Sequence, residues 1–529
     1  MALRRRRQRV IRKVGMSELE IQIKENEYWW GGAVADGLKM PLSKDSAYCR
    51  DCTVNHTANQ FNGVFVSSAG RYISFNGGAK IEAKDGILKI SGVDGEICFS
   101  DSHKTLRGAV RAAAEMFFKP PKNRLKRGYL TEPQFCTWSE MLTHVTGEKL
   151  VAYAKNIRET GLSGELIIID DGWSKDYGDW RFDEKKFPDP QGSLNAVRAL
   201  GFDIALWVVP FVNKGAPDYR DLEENGAFAH KKGGETAEIE WWNGKSAMLD
   251  FSSAYAVAWF KRVLCDLQKK YGVVGFKFDA GGSNYFADLK TGEWLSEISP
   301  AKQCLLWSEF VADFSYSELR ECQNCGAEGI VQRLSDKRAN WGSDGLNALI
   351  PNILQAGLCG YYYCCADMIG GGQIADYENM KEFDLEFYKR SAQCASLFPV
   401  TQFSYAFWNL SPELKKVAKA LCDTRERYKD YFELLIDEAQ KKREPIVRAL
   451  EYEFPKQGLH GVRDSFMLGD KLLVSPVTEK GAREKNVNFP AGYNWKDVNT
   501  SVIYQGGIAA TVPADEETLP IFERIGIVI

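Results

Sequence analysis

Histidine is scarce in this 529-residue chain, with His56, His103, His144, His230 and His460 as its five copies and no two within five residues of each other. That scarcity disfavours His-rich zinc sites and histidine-based nucleophile triads. Long apolar runs are missing too. No stretch of 18 uninterrupted apolar residues occurs, so no membrane-spanning segment is expected. The basic start (Arg4 to Arg7, Arg9, Arg12, Lys13) has no apolar run behind it and lacks the hydrophobic half of a secretory signal. Neither sign of charge dominates: 68 basic against 71 acidic side chains leave −3, which supplies no general pull toward nucleic acid or an anionic bilayer. Thirteen cysteines are too few, and odd in number, for a disulfide scaffold. Cys49/Cys52 and Cys322/Cys325 are CxxC pairs, but they lie far apart and without a neighbouring histidine, so no metal and no other cofactor is expected. Sequons at Asn55, Asn409 and Asn499 would serve in a secretory lumen, but chance supplies as many, and the compartment stays open.

What remains is a folded composition rich in carboxylates and in tryptophan, with 14 Trp in a chain that is 12% aromatic. Its length allows several domains. Residues 19–120 read as short alternating strands between Gly and Asp turns, an N-terminal β-sandwich, with Pro120-Pro121 opening a linker. From 125 to 443, apolar strand candidates (166–171, 204–209, 273–279, 329–334, 358–366) alternate with helical segments. Residues 253–271 carry a three- and four-residue apolar spacing that predicts a helix stopped by Gly272. Repeated βα units of this length predict a (β/α)8 TIM barrel, an α/β fold. Residues 444–529 return to β signals and predict a C-terminal β-sandwich.

Catalytic groups of such a barrel sit at the C-terminal ends of its strands. Four strand ends finish in acids. Ile169-Asp170-Asp171-Gly172-Trp173 offers two carboxylates for sugar hydroxyls and an indole for stacking, although a lone Asp here would ordinarily be a helix cap. In Lys277-Phe-Asp279 the two charged residues share one strand face, so the lysine favours an ionised, nucleophilic Asp279, unless the two form a merely structural ion pair. Arg333-Leu-Ser-Asp336, followed by Trp341, brings a second acid to another strand end, and Asp367 precedes Gly370-Gly371 on a fourth. Two carboxylates on different strands of one barrel face are what a retaining glycosidase requires.

These motifs, in this order, resemble glycoside hydrolase family 31. Its nucleophile segment is similar to Lys277-Phe-Asp279-Ala-Gly281, and its acid/base Asp, five residues before a Trp, is similar to Asp336 and Trp341. Its Asp-Ile-Gly-Gly is similar to Asp367-Met-Ile-Gly370-Gly371, and Glu444-Pro-Ile-Val-Arg448 resembles the entry into its C-terminal domain. Tyr28-Trp-Trp-Gly-Gly32 is similar to the N-terminal domain of the family's myogenesis-regulating glycosidase branch, and the N-terminal sandwich reads as truncated relative to the family.

Asp170-Asp-Gly-Trp173, Gly178-Asp-Trp180 and Lys277-Phe-Asp279 also resemble the related α-galactosidase families. That resemblance implies Asp170 and Asp171 for O4 and O6, Lys277 for O3, Arg333 for O2, and Trp173, Trp180 and Trp207 as walls, with Trp341 and Asp367 as further substrate-binding residues. One departure matters: where α-glucosidases of family 31 carry a sugar-binding His, this chain has Gln402-Phe-Ser404. The expectation is a retaining exo-α-galactosidase with Asp279 as nucleophile and Asp336 as acid/base, acting on an α-linked oligosaccharide or glycoconjugate. An α-glucosidase, α-xylosidase or sulfoquinovosidase keeps the same mechanism, and a catalytically silent sugar-binding or scaffold protein is the reading from another class.

Overall fold

In the computed structural model, residues 10–13, 17–93, 95–288, 290–378, 380 and 383–527 are described. The basic positions Arg4 to Arg7 and Arg9 lie outside them. The centre is a closed barrel of eight parallel strands in chain order: β1 Gln134–Cys136, β2 Leu166–Ile169, β3 Asp203–Val208, β4 Gly275–Phe278, β5 Tyr316–Leu319, β6 Val331–Arg333, β7 Cys364–Met368 and β8 Val400–Phe403. β8 closes on β1 with Gln402 opposite Gln134. β2 (Leu-Ile-Ile-Ile) is buried along its whole length, as a parallel strand covered on both faces must be. Ala254–Tyr271 forms the expected helix, with Ser253 accepting from the Ala256 N–H at its start and Gly272 left-handed (φ 65°) at its end. The acids expected at strand ends stand just past them: β2 stops at Ile169 and β4 at Phe278, which hands Asp170 and Asp279 to the rim.

Two antiparallel sheets precede the barrel. One has five strands, ordered Val10–Lys13, Ile97–Ser100, Tyr72–Phe75, Phe61–Ser67, Trp29–Ala33; the other has four, ordered Glu18–Gln22, Ile87–Ser91, Lys80–Lys84, Tyr48–Asp51. Their buried residues run on into the barrel core. Hydrogen bonds stitch the first sheet to the rim: Phe61 N–H to Cys322 O (2.9 Å), Asn324 N–H to Phe61 O (3.0 Å) and Tyr361 Oη–H to Phe61 O (2.7 Å). After the barrel, a six-stranded and a two-stranded sheet enclose a separate core that includes Leu473, Phe489, Trp495, Val512 and Phe522. No helix among the described residues is long and apolar enough to cross a membrane.

Candidate active site

The C-terminal rim of the barrel encloses a cavity of about 210 Å³ lined by Trp138, Asp170, Trp207, Trp242, Lys277, Asp279, Arg320, Arg333, Asp336, Gln373 and Ile374. Asp279 leaves β4 with its N–H bonded to Val208 O (2.9 Å), and its Oδ1 accepts the Ala280 N–H (2.9 Å). Trp207 Nε1 approaches Asp279 Oδ2 at 3.3 Å and Arg320 Nη2 approaches Oδ1 at 2.9 Å. The turn behind it is forced: Ala280 has φ 54° and Gly281 φ 78°. A side chain on Gly281 would strike the Trp307 indole and one on Gly282 the Glu321 carboxyl, so the two glycines let the loop lie against both. Burial pushes the Asp279 carboxyl up, but Arg320, then Arg333 and Lys277, outweigh it and hold the group below the ordinary aspartate range. It is therefore ionised, as a nucleophile must be.

Asp336 lies 2.6 Å from Arg333 Nη1 through Oδ1, and Arg320 Nη1 stands 3.9 Å from its Oδ2. One guanidinium, that of Arg320, thus reaches both candidate catalytic acids. Below them Glu318, fully buried, accepts from Arg333 Nε (3.0 Å) and Gln402 Nε2 (2.8 Å) and lies 4.0 Å from Lys277 Nζ. Lys277 Nζ in turn bonds Asp170 Oδ2 at 2.6 Å. Burial opposes the Lys277 charge and so does Arg333, but Asp170 and Glu318 raise it above the usual lysine value. The floor is thus an alternation of anions and cations in which each buried charge has an opposite partner.

Of the residues singled out in the sequence, the cavity brings together Asp170, Trp207, Lys277, Asp279, Arg333 and Asp336. The others are not among the residues that line it. Asp171 Oδ2 accepts the Tyr177 O–H (2.9 Å), and burial, offset in part by that bond, raises its carboxyl to about 7. Trp173 is wholly buried with its N–H spent on Trp207 O (2.8 Å). Trp180 packs on Trp173 and Tyr177. Trp341 donates to Asp384 Oδ2 (3.1 Å), and Asp367 lies under Asp336. Ser404 is buried with its hydroxyl on the Ser139 N–H (2.7 Å).

The aromatic walls come from elsewhere. Trp138 follows β1 and donates to Gly372 O (2.7 Å), and Trp242, half exposed, meets it edge to face at 5.8 Å. Trp242 sits at the tip of a hairpin between Glu238–Trp241 and Gly244–Met248, where Trp-Trp-Asn-Gly carries a turn signal that sequence could have revealed. Arg320 follows β5, a strand whose Tyr-Ser-Glu-Leu has no apolar run to expose it. No group of three or more His, Cys, Asp or Glu placed to hold a metal occurs among the described residues.

Residues 133–305 match the TIM-barrel domain of glycosyl hydrolases family 31, and residues 443–529 match the C-terminal domain of the same family. The myogenesis-regulating glycosidase of Mus musculus is 32% identical over 394 residues, covering 72% of this chain and 54% of its own length. Alpha-glucosidase 2 of Bacillus thermoamyloliquefaciens is 23% identical over 421 residues, 73% of this chain and 51% of that protein. The chain therefore spans about half the length of these curated relatives. Among solved structures, a family 31 dextranase of Flavobacterium johnsoniae complexed with glucose superposes with a TM-score of 0.82 over 96% of this chain and 66% of that one, at 18% identity.

Proposed function

The chain belongs to glycosyl hydrolase family 31, and we propose that it is a retaining exo-acting α-glycosidase whose preferred sugars are terminal α-galactosides. The observation that carries this reading is Arg320 reaching both Asp279 and Asp336 beside a small walled cavity. In the first step Asp279 attacks the anomeric carbon as the bond to the leaving oxygen breaks, and Asp336 gives that oxygen its proton. In the second, Asp336 takes a proton from water, the water oxygen attacks the same carbon, and Asp279 departs as carboxylate. The two inversions sum to retention, with one water consumed. Lys277, Arg320 and Arg333 offset the negative charge gathered at the site, and the walled cavity favours a chain end over an internal linkage.

The preference for galactose draws its support from Asp170 and Lys277 at the wall beside Asp279, a carboxylate–ammonium pair suited to vicinal hydroxyls. It also draws on Ser404, which stands where α-glucosidase relatives place a sugar-binding histidine and whose hydroxyl is engaged by backbone. A second reading, an α-glucosidase with the same two acids, is favoured by the name of the Bacillus relative. A silent scaffold is disfavoured by the intact acids and their cations.

Hydrolysis of aryl α-galactoside, α-glucoside, α-xyloside and α-sulfoquinovoside side by side separates these readings. The expected result is fastest turnover of the galactoside, with Asp279→Ala reducing it by at least about 10⁴-fold, the loss of a nucleophile worth several kcal/mol of barrier. Faster turnover of another sugar overturns the preference, and wild-type rates in Asp279→Ala overturn the mechanism.

A further inference from the structure

A second cavity, of about 730 Å³, opens where the N-terminal sheets, the linker and the barrel meet, and it shares no lining residue with the catalytic one. That volume falls within the roughly 300–1,000 Å³ that small-molecule sites occupy. Two tryptophans stand about half exposed among the described residues, Trp242 at 49% and Trp294 at 50%. The first walls the catalytic cavity and the second walls this one. Trp294, on the loop that leaves β4, stacks on no other ring, and its Nε1–H meets no acceptor among the described residues. Its backbone is nonetheless pinned, by a bridge to Ala287 and by the Leu295 N–H on Phe286 O (2.9 Å). An unspent indole on a fixed backbone is a preformed flat apolar face. Deeper in, Gln323 Nε2 donates to Gly77 O (2.8 Å) and Asn324 Oδ1 accepts the Gly63 N–H (2.7 Å), which ties the loop after β5 to the first N-terminal sheet. Asn324 Nδ2 is then a buried donor on a cavity-lining residue with no acceptor among the described residues.

We propose that this cavity is a second saccharide site, which takes a neutral oligosaccharide with one pyranose ring stacked on Trp294 and hydroxyls met by Asn76, Lys302 and Asn324. The charges of the lining are mixed, Lys119 and Lys302 against Glu297, Glu309 and Glu328. Most of them already have partners. Lys119 meets Glu309 (2.9 Å), Glu297 meets His230 (3.3 Å), and Glu328 Oε2 accepts the Lys122 N–H (3.0 Å). An ionic ligand would therefore find no field of one sign to hold it. What stays unspent is the indole face beside Phe117, with amide and ammonium donors around it. A pyranose matches that combination, because its C–H face is apolar while its edge carries hydroxyls that both donate and accept. A wholly apolar ligand would cover the indole and strip water from the donors without replacing its hydrogen bonds. Asn76 and Lys302 are exposed and Asn324 is half-buried, so polar groups run from the mouth of the cavity to its floor. The inference does not depend on which sugar reacts at Asp279 or on how it reacts.

The test is ¹⁹F NMR of the full chain labelled with 5-fluorotryptophan and carrying Asp279→Ala, which prevents turnover, titrated with raffinose and with maltotriose. Loss of one resonance in Trp294→Phe identifies Trp294, and loss of another in Trp242→Phe identifies the reporter of the catalytic cavity. The Trp294 resonance is expected to move saturably with at least one of the two sugars, at a dissociation constant on the order of 1 mM, the strength of a small open site. Asn76→Ala and Lys302→Ala change exposed side chains and leave the indole in place. Each is expected to weaken the Trp294 titration by about three- to tenfold, the loss of one hydrogen bond, and to leave the Trp242 titration where it was. A Trp294 resonance that stays put with both sugars overturns the inference. So does one that moves but ignores both the Asn76 and the Lys302 substitutions, because the sugar would then touch the loop and not the cavity. Failure of the catalytic reading looks different: it changes the Trp242 curve and leaves the Trp294 curve as it is.

Discussion

Glu321 is the least comfortable side chain near Asp279, the proposed nucleophile. It is buried against the backbone of Gly282, and its Oε1 stands 3.7 Å from Arg320 Nη2 with no hydrogen bond of its own. Burial raises its carboxyl to about 7, with Arg320 pulling down and Asp279 pushing up. The folded chain therefore holds this proton up to about pH 7, while the unfolded chain releases it near the ordinary glutamate value of 4.5. The stabilisation is fully present below that ordinary value and is lost as pH rises through about 7, because between the two the native state binds more protons. Glu321→Gln removes the ionisation, so its advantage over wild type should grow from pH 4.5 to 7.5, toward about 3 kcal/mol for a shift of this size. Thermal unfolding of both proteins across that range checks it, and parallel curves would refute it. Asp171 and Asp367 rise in the same range and remain in the variant, so only part of the slope should disappear.

At the scale of elements, the rim is built by loops that reach it from outside the barrel. Asn59, in the N-terminal sheets' connecting loop, accepts the Ser335 N–H (2.7 Å) and donates to Ser335 Oγ (2.9 Å), one residue before Asp336. Gln60 donates to Arg333 O at 2.7 Å. Asn59→Ala leaves the Ser335 N–H unpaired, a cost of roughly 1–3 kcal/mol, and should lower kcat by about tenfold with KM little changed. Steady-state kinetics on the best aryl glycoside decide it; an unchanged kcat would mean that the segment before Asp336 holds itself. None of this was legible in the chain, because a contact between residues 59 and 335 leaves no local pattern. β1, β5 and β8 escaped for a related reason. Gln134, Glu318 and Gln402 are polar and wholly buried in one network, which breaks the apolar run by which a parallel strand is read. β2 and β4, with apolar runs ending in acids, were readable, and so were Asp170, Lys277 and Asp279. Arg320 went unseen with the strand that carries it.

Over the whole molecule, the barrel is held from both ends of the chain. Arg390, fully buried on the helix Leu385–Ala395, donates to the carbonyls of Ala482, Ala514, Asp515 and Thr518, and so clamps the ends of the two-stranded sheet formed by Glu484–Phe489 and Glu484's partner strand Ile508–Pro513. Beside it Lys389 meets Glu413, Glu516 and Glu517. The order β, barrel, β was visible in the alternation of strand and helix signals, whereas the Arg390 clamp is a side chain meeting backbone more than 90 residues away. The scarcity of histidine agrees with a site whose titrating groups are carboxylates set against arginine and lysine. The most direct measurement of that account is covalent trapping. Incubation with an activated 2-fluoro α-galactosyl donor, followed by peptide mass spectrometry, should find the sugar esterified to Asp279 and no label in Asp279→Ala. A label on another residue, or labelling by the matching α-glucosyl donor but not by the galactosyl one, would contradict it.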